Sequence, residues 1–275
     1  MKITESNFTF DGKGQTINEN IIIKGPVSNV TLKNFSLKGR LRLIGLGKNG
    51  EAEEVRLSSL ALDHTKRARD AAPHHVTLER IKFTPENQTP LYLGPGCTYV
   101  TVKDCLFAGT SASIALYLDA ESGYNHIVNN TFRTLCGDGR EVIAVDGSAY
   151  NIIEQNRFEQ CKYGGIYLYR NCGQGGTVRH QKPVFNLIKN NEFDLHGMAL
   201  VRPKIVWPKV EIPYGIILGS RQGDRVFCSA DSGYDFGSSK NDGDFARNNT
   251  VSGNKFRGDW FKRHIKDNDR GNVIK

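Results

Sequence analysis

Four octets in the chain share one pattern. "NHIVNNTF" (Asn125 to Phe132), "NIIEQNRF" (Asn151 to Phe158), "NLIKNNEF" (Asn186 to Phe193) and "NTVSGNKF" (Asn249 to Phe256) all read Asn-x-φ-x-x-Asn-x-Phe, where φ is apolar. An internal repeat constrains architecture more than any single motif, because each copy must be one structural unit repeated in space. Weaker copies lie upstream, "NVTLKNFSL", "EVRLSSLAL", "HVTLERIKF" and "YVTVKDCLF", ending at Leu37, Leu62, Phe83 and Phe107, and "NVIK" closes the chain as a partial copy. The steps from Phe83 to Phe107, Phe132 and Phe158 are 24, 25 and 26 residues.

Each unit alternates apolar and polar residues for a few positions, turns at an asparagine and resumes with an inward Phe or Leu. Alone it cannot bury its apolar side, so stacking on its neighbours must supply the core. The architecture expected is all-β, a single-stranded parallel β-helix solenoid forming one domain over residues 1–275. Short β-branched runs and 29 glycines suit many brief strands joined by tight turns. Successive strands then lie about 4.8 Å apart and equivalent side chains stack. Asn130, Asn156, Asn191 and Asn254 are expected to form an asparagine ladder at a turn, where asparagine tolerates αL geometry, and Phe132, Phe158, Phe193 and Phe256 to stack inside.

With the opening "FTFDGKGQTI" (Phe8 to Ile17), which looks like an Asp-Gly-x-Gly-x-x-Ile start, these repeats resemble the right-handed parallel β-helix proteins of the pectin-lyase-like superfamily. The resemblance implies a right-handed coil over nearly the whole chain. It does not choose among lyases, hydrolases, epimerases, phage adhesins and binding proteins, all of which that fold hosts.

The period breaks in the C-terminal half. Phe158 to Phe193 is 35 residues and Phe193 to Phe256 is 63, which places insertions at about 171–185, 194–213 and 223–248. Loops that interrupt a solenoid are where function is expected. Strands preceding the Asn repeat also align, "IALYLDAESG", "VIAVDGSA", "GIYLYRNCG" and "GIILGSRQG". Near their common C-terminal end they offer Asp119, Asp146, Tyr169 with Arg170, and Arg221. Two carboxylates one rung apart repel, so one is suited to act as an acid while its neighbour stays ionised. An arginine beyond them suits a substrate carboxylate. Asp before Gly is also a common turn residue, so turn capping explains Asp146 about as well as chemistry does, and explains Asp119 slightly better.

Residues 141–146, "EVIAVD", followed a turn later by "IYLYR", are similar to the paired strands of β-helical alginate lyases and chondroitinases that use a lysine base, an arginine and often calcium, with Asp146 where those have lysine. That resemblance implies Glu141 as a metal or substrate ligand and Arg170 as a transition-state stabiliser. The first insertion adds Arg179, His180 and Lys182 as substrate contacts, and Tyr169 and Tyr234, with Tyr167, Trp207 and Phe236, are candidate sugar platforms. Asp231, Asp235, Asp242 and Asp244 form an acidic loop suited either to solvent or to calcium, the one cofactor considered.

A net charge of +8 and a pI near 9.1 favour an anionic partner. The basic residues form no stripe interleaved with aromatics, which argues against nucleic acid. Six cysteines in no Cys-x-x-Cys pair point to buried free thiols. No apolar run approaches the roughly 18 residues a membrane span requires, and Met1-Lys2 leads into polar residues without a signal-peptide core. A soluble chain is expected, and extracellular or periplasmic action would require either a signal already removed from this sequence or another export route. The function expected is cleavage or modification of an acidic polysaccharide, by a lyase or hydrolase, in a groove on the coil. The alternative is a non-catalytic glycan-binding, phage-fibre or scaffold β-helix. Oligomeric state is left open.

Overall fold

The computed structural model describes residues 1–45, 64–170, 180–201, 212–219, 246–258, 261–268 and 271–275. The insertion residues 171–179, 202–211 and 220–245 lie outside them, and so do Arg179, Arg221, Tyr234, Trp207, Phe236 and the acidic loop. Every strand pair described is parallel, and the chain climbs as a β-helix. One sheet stacks nine short strands, among them Leu91–Leu93, Leu116–Leu118, Ile143–Asp146, Ile166–Tyr169 and Ile216–Leu218. A second sheet has two limbs per coil, such as His126–Val128 followed by Thr131–Phe132. A two-stranded sheet of Thr110–Ser111 and Leu135–Cys136 flanks them. Among the described residues no helix is long and apolar enough to cross a membrane.

The Asn-x-φ-x-x-Asn-x-Phe octet maps onto the second sheet, with φ inward on the first limb and Phe inward on the second. Phe83, Phe107, Phe132, Phe158, Phe193 and Phe256 stack face to face, with centroids 4.5–4.9 Å apart. That interval is the rise of one coil, so each ring covers the next. The first five are at most 1% exposed. Gly165 and Gly215 let this ladder pass, since a Cβ on either would lie 2.7 Å from a carbon of Phe193 or Phe256 respectively.

Both asparagines of the octet form ladders. Asn130 Nδ2 donates to Asn156 Oδ1, Asn156 Nδ2 to Asn191 Oδ1 and Asn191 Nδ2 to Asn254 Oδ1, at 2.9–3.0 Å. Each acceptor oxygen also takes the backbone N–H of the asparagine donating to it. Asn125, Asn151, Asn186, Asn249 and Asn272 repeat the device at the other end of the first limb. The left-handed residue is not the ladder asparagine, as the sequence suggested, but the one before it: Asn129, Gln155, Asn190 and Gly253 have φ between 53° and 63°. That residue makes the bend, and the amide behind it bonds to the neighbouring coil.

The upstream copy "EVRLSSLAL", ending at Leu62, lies outside the described residues. Ser28–Leu37 pairs directly with His74–Phe83, and Leu41–Ile44 with Leu91–Leu93. A helix, His64–Asp70, precedes His74–Phe83, and the sequence reading did not anticipate it.

Candidate functional site

Along Ile143–Asp146 the side chains alternate. Ile143 and Val145 belong to the main core, whereas Ala144 packs outside with Ile114, Tyr167 and Tyr169. Asp146 continues the outer column and pairs in register with Tyr169. One coil earlier the same column holds Asp119, one residue past the Leu118 that pairs with Val145.

Each aspartate receives a tyrosine from the coil before it. Tyr92 Oη donates to Asp119 Oδ2 and Tyr117 Oη to Asp146 Oδ2, both at 2.5 Å. Asp146 is fully buried and Asp119 nearly so, while both tyrosines are half-buried. A carboxylate thus lies behind a more accessible phenol, twice in succession, with the two rings 5.8 Å apart. Asp119 also accepts the Ala120 N–H through Oδ1 at 2.7 Å, which is the turn-capping role weighed for it. Beyond Asp146 the left-handed turn is made by Gly147, at φ 67°.

Glu141 is fully buried beside Arg140, whose Nε and Nη2 donate to its two oxygens at 3.2 and 3.0 Å. Tyr169 Oη accepts from Arg140 Nη2 at 2.6 Å and donates to Glu141 Oε1 at 2.9 Å. Burial by itself would lower the Arg140 pKa, but the Glu141 carboxylate, aided by Tyr169 and Tyr117, outweighs it and holds the guanidinium well above its usual value. Arg140 is therefore a permanent cation in this cluster.

Arg170 follows Tyr169, is 2% exposed, and donates from Nη1 to the His180 carbonyl at 3.0 Å. His180 contributes backbone here: its N–H and that of Gln181 donate to Glu121 Oε1 at 2.6 and 3.1 Å. Lys182 is half-buried in the same segment. Glu121, buried and at φ 62°, also accepts from Thr65 Oγ1 at 2.6 Å, so it ties the helix His64–Asp70 and residues 180–181 to the coil.

The structure therefore brings Asp119, Asp146, Glu141, Tyr169 and Arg170 onto adjoining coils. Four participants were not singled out from sequence: Tyr92, Tyr117, Arg140 and Glu121. Tyr92 and Tyr117 were legible as the repeated "LYL" before each turn. Arg140 and Glu121 had no signal beyond their neighbours. Of the six charged side chains buried among the described residues, five fall between Asp119 and Arg170; the sixth is Arg263. Among the described residues no three His, Cys, Asp or Glu side chains are grouped to hold a metal. Cys97, Cys105, Cys136 and Cys161 are free and buried, and burial raises all four thiols, Cys105 and Cys136 to about 12.

A family model described as "Right handed beta helix region" matches residues 66–223. Comparison with curated proteins gave no match. Similar solved structures include the enzymatically active domain of bacteriophage CBA120 tailspike protein 2, at 10% identity and TM-score 0.45, covering 99% of this chain and 42% of that one. A point variant of the catalytic domain of a GH87 alpha-1,3-glucanase in complex with nigerose is 12% identical, TM-score 0.44, covering 98% and 51%. A PL6 alginate lyase in complex with trisaccharide is 13% identical, TM-score 0.36, covering 91% and 64%. The chain spans less than two thirds of the length of each.

Proposed function

Because the chain belongs to the right-handed β-helix family, and so presents stacked parallel strands as one long outer face, we propose that it cleaves an acidic polysaccharide at the outer face of its first sheet. The observation that carries this reading is the concentration of buried charge between Asp119 and Arg170. A solenoid needs only its apolar interior and its ladders to stand. Burying a charge costs several kcal/mol unless it is paired, and such clusters mark functional sites.

In this reading Tyr117, the accessible member of its pair, meets the substrate and transfers a proton at its phenolic oxygen. Asp146 acts through it as a positioning residue, holding the phenol's orientation and protonation. The Arg140–Glu141–Tyr169 cluster keeps the neighbouring wall rigid, and Arg170 supplies positive charge toward a uronate carboxylate or the charge developing beside it. The net charge of +8 draws an anionic polymer to the surface.

Wild type, Tyr117→Phe and Asp146→Asn are to be incubated with alginate, polygalacturonate and chondroitin, following ultraviolet absorbance for unsaturated ends and reducing-end release for chain scission. Loss of a proton-transferring group lowers the rate by about 10²–10⁴-fold, and absorbance rising with scission assigns elimination over hydrolysis. Wild-type inertness on every polymer, or full activity in both variants, would refute the reading. A second reading, a glycan-binding β-helix without turnover, is favoured by the complete burial of Asp146 and Glu141. It predicts polymer retention with no new chain ends.

A further inference from the structure

We propose that a row of outward-facing aromatic rings, with the groove at its start, is a second saccharide-binding surface that holds a carboxylate-bearing glycan chain lengthwise along the coils. This inference rests on the substrate reading above. Its site is different: the corner where the first sheet turns into the second.

The row runs His75, Tyr99, Tyr124, Tyr150, Phe185, with successive ring centroids 4.7–5.2 Å apart and near-parallel planes. All five residues are exposed, Tyr99 and Phe185 about half so. Every one has positive φ, from 53° to 60°. In the same column the flanking coils carry Asn29 and Asn248, also left-handed, which is the residue such a position ordinarily selects. The five central coils accept backbone strain and exposed apolar surface together, and the backbone requires neither.

The chemistry offered is specific. Stacking closes the interior ring faces, so no base could insert between them, which disfavours single-stranded nucleic acid. Ring edges, the positive rim of the aromatic quadrupole, face outward with the hydroxyls of Tyr99, Tyr124 and Tyr150, one per coil. An acceptor-rich polymer matches such a row. At its start lies a groove of about 410 Å³ lined by Arg69, Asp70, His74, Thr98, Tyr99 and Tyr124, within the size range of small-ligand sites. Asp70 is paired with Lys66. The Arg69 guanidinium lies 5.3 Å from the Tyr124 ring centre, its Nε bonded to the Glu121 carbonyl and its Nη2 to Gln181 Oε1. A cation fixed in place beside phenol donors is suited to a sugar carboxylate.

The test is affinity electrophoresis through alginate, polygalacturonate and chondroitin gels. Wild type is compared with Tyr124→Asn, the triple variant Tyr99→Asn/Tyr124→Asn/Tyr150→Asn, and Asp146→Asn, with thermal melts of each. Asparagine is the residue of the same column in flanking coils, so the backbone is preserved. Retention by at least one polymer is expected, weakened about tenfold or more in the triple variant and kept in Asp146→Asn. Triple-variant retention equal to wild type, or no retention of wild type in any gel, overturns the proposal; a lowered melting temperature with unchanged retention assigns the row to stability alone and overturns it too. Absence of chain cleavage alongside ladder-dependent retention would remove the catalytic reading and leave this one standing.

Discussion

The inner ladder from Phe83 to Phe256 and the outer row from His75 to Phe185 climb overlapping coils at nearly the same spacing, yet they answer to different constraints. Inner rings follow extended strands and fill a space that only another large apolar group could fill, so sequence variation there is penalised by packing. Outer rings sit on left-handed residues and face solvent. The coil geometry imposes stacking on any aromatic column. It imposes burial only on the inner one, and what the outer column is for must be sought outside the fold.

The sharpest way to break this comparison is truncation on each side. Phe158→Ala removes a fully buried ring between two stacked neighbours and is expected to cost about 3–5 kcal/mol in denaturant unfolding. Tyr124→Asn loses two stacked pairs at about 0.5–1.5 kcal/mol each but relieves roughly 1–2 kcal/mol of left-handed backbone strain, so its net loss should stay below about 2 kcal/mol. Equal losses at the two sites would mean that the outer row is also structural.

Asn156→Ala tests the seam between the two limbs. It leaves the Asn130 N–H and Nδ2 without their acceptor at a buried position, at about 1–3 kcal/mol for each orphaned group. Asn156→Asp keeps the acceptor but sets a buried carboxylate oxygen against the Ile127 carbonyl and Asn191 Oδ1, so it should cost at least as much. A stability equal to wild type would show that the donation from Asn156 Nδ2 contributes nothing.

The smallest effect is expected on the outer side of the first limb. Burial would raise the Glu154 carboxyl, but hydrogen bonds from His126 and Lys189 outweigh it and hold the group below its ordinary value. A folded pKa below the unfolded one stabilises fully above the unfolded value, and that stability is lost as pH falls through the folded value. Glu154→Gln should therefore flatten the acid limb of the stability curve by less than about 1 kcal/mol, measured by urea unfolding between neutral and acid pH.

Much of this was legible in the octet. Its two asparagines and its phenylalanine are the stacked positions, although only the second asparagine was read as a ladder. The first has the same spacing and the same physical reason. Asp146 was readable as an odd polar residue after an apolar strand, but whether it capped the turn or faced outward depended on strand alternation relative to a core that the sequence does not display. Glu141 was singled out through the resemblance of residues 141–146 to a lyase strand, yet its partners Arg140 and Tyr169 could be assigned only once coils were in register.

The amino-acid sequence by itself determined that the chain coils, what lies inside the coil, and where the amide ladders run, because those depend on periodicity, which is a property of the chain alone. Tertiary structure decided that Tyr117 meets Asp146, that Glu121 holds residues 180–181 against the coil, and that five left-handed aromatics align at one corner. Those contacts join residues one or more coils apart, and the length of each coil, which varies freely in the loops, sets which residues come to lie side by side.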